Sequence, residues 1–168
     1  MLLLPNNPNV VAAAEQVAGV VGKIVKVVPS RTVPQGIASL LAYNPEQSVE
    51  ENARGMEERL ESVHTVEMTK AVRDASLDSV SVKEGQYLGL IEHRPVVAGN
   101  TAGEAMDRAL DELGLDGGYL VTLYYGEGVA VDEAAALARA LKERPDTPEV
   151  EAVWGGQPHY QYIASVEP

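Results

Sequence analysis

Hydrophobic and polar positions near the start of the chain alternate between strand and helix patterns. Leu2-Leu3-Leu4 is a short apolar run suited to a buried strand, and Pro5-Asn6-Asn7-Pro8 breaks it. Asn7 is a good N-cap and Pro8 a good first-turn residue, which predicts a helix from about Pro8 to Val21. Val10, Val11, Ala13, Ala14, Val17, Ala18, Val20 and Val21 make that helix apolar around most of its surface. Such a helix is expected to be buried on more than one side. After Gly22, the β-branched run Lys23 to Val28 reads as a strand. Strand, helix and strand joined by short loops predict a right-handed parallel unit. Pro34 to Ala42 is again helical in pattern, and Asn44-Pro45 ends it. Ser48 and Glu51 then form a capping box that opens a helix running to about Ser62. Alternation from His64 to Val72 predicts a third strand.

The second half follows a different pattern. Val80–Val82, Tyr87–Ile91 and Val96–Ala98 are short strands whose spacing favours hairpins. Thr101-Ala102-Gly103-Glu104 reads as another capping box, and Gly114 as the stop of the helix it opens. A strand over Tyr119–Tyr125 and a helix over Val131–Arg144 follow. The strands Glu149–Trp154 and Tyr160–Val166 are joined by Gly155-Gly156-Gln157-Pro158. The chain therefore reads as α/β, with two lobes. A Rossmann-like parallel βαβ lobe covers residues 1–76, and a mixed-sheet α/β lobe covers residues 77–168.

Composition narrows the partners. The 168 residues carry 13 Lys+Arg against 25 Asp+Glu, a net charge of −12. Spread over a surface, that charge repels nucleic acid and anionic membranes alike. The absence of Cys removes disulfides, thiolate nucleophiles and Cys-based metal sites. No apolar stretch reaches the roughly 18–20 residues of a membrane span. No basic region precedes Leu2–Leu4, so a soluble, cytoplasmic protein is expected.

Catalytic signatures are sparse. The histidines His64, His93 and His159 lack metal-ligand spacing and read as solvent-facing or structural. Gly126-Glu127-Gly128 follows a strand and precedes a helix, but its third glycine is missing and Glu127 would oppose a phosphate. A plain strand-to-helix turn is the better reading. Polar residues, in contrast, cluster after each early strand. Asn6, Asn7 and Asn9 follow the first strand. Ser30, Arg31, Thr32, Gln35 and Gly36 follow the second, and Arg73 and Asp74 follow the third. Were the three strands parallel, these loops would share the carboxyl edge of one sheet, where such folds bind ligands. Helix capping, turn formation and local pairing explain the same residues without a ligand.

These residues carry a family likeness. Leu4-Pro5-Asn6-Asn7-x-Asn9, Val28-Pro29-Ser30-x-Thr32-Val33-Pro34-Gln35-Gly36, Thr69-x-Ala71-Val72-Arg73-Asp74 and Gly155-Gly156-Gln157-Pro158-x-Tyr160-x-Tyr162-Ile163 occur in this order. Together they resemble the C-terminal domain of the A component of bacterial fatty acid kinase, in the dihydroxyacetone-kinase-like family. The second lobe is also similar to DegV-like fatty-acid-binding proteins, most clearly at Tyr124-Tyr125-Gly126 and the acidic helix after it. The resemblance implies a parent protein whose kinase domain, with ATP and magnesium, phosphorylates a fatty acid held by a DegV-like carrier. It adds Gln157 and Tyr160 to the candidate binding residues. It implies no cofactor in this chain, whose sequence has no counterpart of the family's Asp-rich metal motifs.

Three functions are weighed on these grounds. The first is a non-catalytic domain that docks the DegV-like carrier beside the kinase domain of the same parent. The second is a DegV-like domain that itself binds a fatty acid or small molecule. The third, an independent phosphotransferase, would need magnesium carboxylates beside a phosphate loop. Self-association is left open. A partner of this acidic domain is expected to offer a basic patch.

Overall fold

The computed structural model describes residues 1–77, 79–114, 118–147 and 149–168. The chain divides into two compact units, Met1–His64 and Thr65–Pro168.

The first unit is built on two very short strands, β1 (Leu2–Leu3) and β2 (Lys26–Val27), which pair in parallel with Leu3 opposite Val27. Between them runs α1 (Pro8–Val20), and after them come α2 (Val33–Leu40) and α3 (Val49–Leu60). Each helix starts on a side-chain cap. Asn7 caps α1, Thr32 caps α2, and Ser48 with Glu51 closes a complete capping box on α3. The core of the unit is small: Val28, Ala53, Met56 and Leu60, with Leu2, Leu4 and Ala42 packed against them. Buried Asn52 holds the loop before α3. Its Oδ1 accepts from the Asn44 amide, and its Nδ2 donates to the carbonyls of Asn44, Gln47 and Ser48. The Ser39 hydroxyl donates to the Met56 carbonyl at 2.9 Å, pinning α2 to α3.

The second unit contains β3 (His64–Lys70), β4 (Ala75–Leu77), β5 (Val80–Val82), β6 (Tyr87–Ile91), β7 (Arg94–Gly99), α4 (Ala102–Leu113), β8 (Leu120–Tyr125), α5 (Val131–Lys142), β9 (Glu149–Trp154) and β10 (Tyr160–Glu167). Six strands form one sheet in the order β7-β6-β3-β10-β8-β9. It is mixed: β3/β6, β6/β7 and β8/β10 are antiparallel, while β8/β9 is parallel. Alternate residues Val66 and Met68, Val121 and Leu123, and Tyr162, Ala164 and Val166 share one core with Met106 and Leu110 of α4 and Leu137 and Leu141 of α5. Strands β4 and β5 form a separate hairpin.

The architecture is the expected α/β arrangement of a parallel βαβ unit and a mixed-sheet unit, with three corrections. First, β3 belongs to the sheet of the second unit, so the seam expected near residue 76 falls between His64 and Thr65. Alternation marks a strand but not its neighbours, and β3 pairs antiparallel with β6. Second, α1 is not buried on more than one side: Ala14 is its only buried residue, and Val10, Val17 and Val20 are exposed. A two-stranded sheet offers too little surface to cover an apolar helix. Third, the Thr101 cap is present, but Glu104 returns its carboxylate to the amide of Asn100, one residue outside a capping box. The final strands β9 and β10 are joined in sequence but are not neighbours in the sheet, because β8 lies between them.

Candidate functional site

The parallel pairing of β1 and β2 sends the loops after them out of the same sheet edge. There Asn6 adopts φ 54°, in the left-handed region that Asn tolerates. This turns both its backbone and its side chain toward the second loop. The Ser30 hydroxyl accepts from the Asn6 amide at 3.1 Å and donates to Asn6 Oδ1 at 2.7 Å. Gly36, in the first turns of α2, leaves room for that Asn6 side chain; a Cβ at this position would overlap Oδ1. Gln35 spans the loop in turn. Its Oε1 accepts from the Arg31 amide at 2.9 Å, and its own amide donates to Thr32 Oγ1 at 3.3 Å. Ser30 and Thr32 are buried, while Asn7 and Asn9 are exposed and bonded to each other through the cap. Asn6, Asn7, Asn9, Thr32, Gln35 and Gly36 thus gather at one edge. The cluster contains no carboxylate and no imidazole, so it is suited to holding a shape rather than to acid–base chemistry.

The other candidates lie in the second unit. Because β3 is not in the sheet with β1 and β2, Arg73 and Asp74 do not join that edge. Asp74 Oδ1 accepts from the Glu84 amide at 2.8 Å, tying the segment before β4 to the turn after β5, while Arg73 is exposed. Gln157 has a structural position. Its Nε2 donates to the Tyr124 carbonyl at 2.8 Å, and its own carbonyl accepts from the Glu127 amide at 3.2 Å. Gly126 lies against the carbonyls of Gln157 and Tyr160, too close for any Cβ. The Gly-Glu-Gly segment is therefore a strand-to-helix turn braced by the Gly-Gly-Gln-Pro segment. Burial, and behind it the Glu67 carboxylate, push the Tyr160 phenol above its ordinary value.

Two features escaped the sequence reading. The outer side of α2 and the turn after it expose Val33, Ile37, Leu40 and Leu41, the last at 76%. The i, i+4, i+8 spacing of Val33, Ile37 and Leu41 signals such a stripe, whereas the buried residues Pro34, Gly36, Ala38 and Ser39 occupy the rest of the helix surface. The second feature is buried Glu67, whose carboxylate lies 2.9 Å from Nδ1 of His93. Burial pushes the Glu67 carboxyl up, against the pull of His93. His93 and its neighbour Glu92 both have positive φ in the β6–β7 turn, where Asn-Gly would be usual. No local pattern marks a lone Glu within a strand as buried. Among the described residues, no group of three His, Asp or Glu is placed to hold a metal ion. No helix among them is long and apolar enough to cross a membrane.

The model of the FakA-like C-terminal family, the C-terminal region of proteins like the A component of fatty acid kinase, matches residues 1–167. Protein YloV of Bacillus subtilis is 36% identical over 167 residues, and an uncharacterized Staphylococcus aureus protein, SAR1202, is 33% identical over 166. Each alignment covers 99% of this chain, which spans only 30% of the length of either relative. Among solved structures, TM841 of Thermotoga maritima, described as revealing a fatty acid binding function, superposes at TM-score 0.63 and 11% identity. That match covers 99% of this chain and 68% of TM841. The DegV family protein Cg2579 of Corynebacterium glutamicum matches at TM-score 0.64 and 16% identity, over 98% of this chain and 73% of its own. The dihydroxyacetone kinase of C. freundii matches at 0.66 and 13%, over 99% of this chain and 38% of that enzyme. At these identities the structural matches establish the fold.

Proposed function

Because the chain belongs to the FakA-like C-terminal family of fatty acid kinase proteins, we propose that it is the non-catalytic domain through which a fatty acid kinase docks a DegV-like fatty-acid-binding protein. The kinase domain of the parent protein, with ATP and magnesium, then phosphorylates the bound acid to an acyl phosphate. The observation that carries the docking role is the apolar stripe of Val33, Ile37, Leu40 and Leu41, standing exposed beside the rigid Asn6–Ser30–Gly36 edge. Exposed apolar side chains set on a braced backbone have the make-up of an interface core. The edge keeps the N-terminus of α2 fixed, so docking orders few further side chains. Calorimetric titration of a fatty-acid-loaded DegV-like protein into this domain tests the reading. Saturable binding that Leu41→Asp weakens is expected. No complex, under conditions where the full-length kinase binds the same carrier, would refute it.

A second reading, a domain that itself binds a fatty acid, has one observation in its favour. Leu2, Leu4, Leu40, Tyr43, Val49 and Met56 line a largely apolar cavity of about 320 Å³ in the first unit. Native mass spectrometry of the bacterially expressed protein separates the two readings, because only this one predicts a retained acyl chain.

A further inference from the structure

A cleft of about 540 Å³ opens in the second unit, at the mouth of the sheet between the N-terminus of α4 and one side of α5. Lys70, Tyr87, Thr101, Glu133, Leu137 and Tyr162 line it, supplied by β3, β6, the α4 cap, α5 and β10. Its volume is that of an ordinary small-ligand pocket. We propose that this cleft binds a small hydroxylated anion, with the anionic group at Lys70 and a hydroxyl between Tyr162 and Glu133. The proposal is independent of the docking role.

Three observations carry it. Tyr162 is fully buried, yet its hydroxyl reaches only Glu133 Oε1, at 3.5 Å. That is beyond the 2.5–3.0 Å of an O–H···O bond, so a buried phenol faces the cleft without a close partner. A ligand hydroxyl placed between the two would accept from one and donate to the other. Next, Lys70 is not matched to an acid. In a chain with almost twice as many acidic as basic side chains, its ammonium lies 5.8 Å from the centroid of the Tyr87 ring, and no carboxylate of the described residues pairs with it. The ring holds the cation at the cleft while leaving its charge available. Finally, α4 begins at Ala102 beneath the same opening, and its first backbone N–H groups have no intrahelical acceptor. Lys70 and these amides favour an anion in the cleft, and Glu133 favours a donor.

The test is an amide NMR titration of the full chain with D-glycerate, inorganic phosphate and propionate. D-Glycerate is expected to shift the Ala102 and Gly103 amides saturably, and propionate to bind about tenfold or more weakly, because it leaves the Tyr162–Glu133 pair unfilled. Inorganic phosphate, which carries the charge without a carbon-borne hydroxyl, is expected to rank with propionate. Lys70→Met is expected to abolish binding of all three. Glu133→Gln is expected to keep binding but narrow the preference for glycerate, and it sits on an exposed helix face where folding is not at risk. No saturable shift with any probe, equal affinity for glycerate and propionate, or binding unchanged in Lys70→Met would each overturn the proposal.

Discussion

Gly36 faces the side-chain carbonyl of Asn6 with no space between them for a β-carbon. The Asn6 side chain cannot simply turn away, because Ser30 holds its Oδ1 at 2.7 Å. Gly36→Ala is therefore expected to destabilise the first unit by about 1–3 kcal/mol through overpacking. This is a net loss, despite the roughly 1 kcal/mol that Ala in place of Gly adds to a helix interior. Urea unfolding measures it, and a Gly36→Ala variant more stable than the parent would show that the edge is loose.

The exposed stripe on α2 leads to an interface prediction. Leu41→Asp is expected to weaken the complex with a DegV-like protein by about 2 kcal/mol or more, as for a truncated interface hot spot. The stability of the isolated domain should hardly change, since Leu41 is mostly in water. A net charge of −12 adds a kinetic expectation: the association rate falls as salt rises, if the partner's docking face is basic. Stopped-flow association at two ionic strengths checks it.

Glu67 gives a pH prediction with a definite sign. Its folded-state carboxyl is pushed up, chiefly by burial. A raised carboxyl favours the folded state below the unfolded value near 4.3 and loses that advantage as pH rises through the folded value. Glu67→Gln removes the penalty of ionisation. The difference in melting temperature, variant minus parent, should be more favourable to the variant at pH 7 than at pH 3.5. Equal differences at the two values would mean that the contact with His93 offsets burial in full.

Arg144 predicts the opposite sign. Its guanidinium bridges Asp146, Asp111 and Asp107, with Nη2 2.7 Å from Asp111 and 2.8 Å from Asp146. The hydrogen bond from Arg144 holds the Asp146 carboxyl below its ordinary range. That contribution is present above the unfolded value near 3.9 and disappears as pH falls through the folded value. Arg144→Met is expected to lose about 1–3 kcal/mol at pH 7 and less as the acid range is entered. Denaturant midpoints across that range read out the narrowing.

The start of α5 offers a gain. Ala130 has the extended conformation of an N-cap but no side chain able to make the bond. Ala130→Ser is expected to add about 1 kcal/mol of stability, read as a higher urea midpoint.

Most helices were legible because their signals are local. Asn7, Ser48 with Glu51, and Thr101 each cap where their residue type and spacing predicted, whereas the Thr32 cap of α2 emerged only in the structure. Sheet membership was not, because it depends on which strands meet. Alternation in His64–Val72 gave a strand, yet nothing local assigned β3 to a place between β6 and β10. That missing neighbour removed Arg73 and Asp74 from the edge shared by Asn6 and Gly36. Burial was harder still. The apolar surface of α1 looked like core but is mostly exposed, and Glu67, an ordinary acidic residue in sequence, is 4% exposed. Both depend on what else the fold brings alongside.

The position of β10 sets the order in which the protein can fold. Last among the strands along the chain, it lies between β3 and β8 in the middle of the sheet. During synthesis, residues 1–64 can collapse as soon as they leave the ribosome. The second unit must wait, with the β3 side and the β8 side unjoined, until residues 160–167 arrive to join them. A nascent chain that has emerged through β9 but not β10 would therefore carry two open sheet edges. That nascent chain is the state in which chaperone capture and aggregation compete.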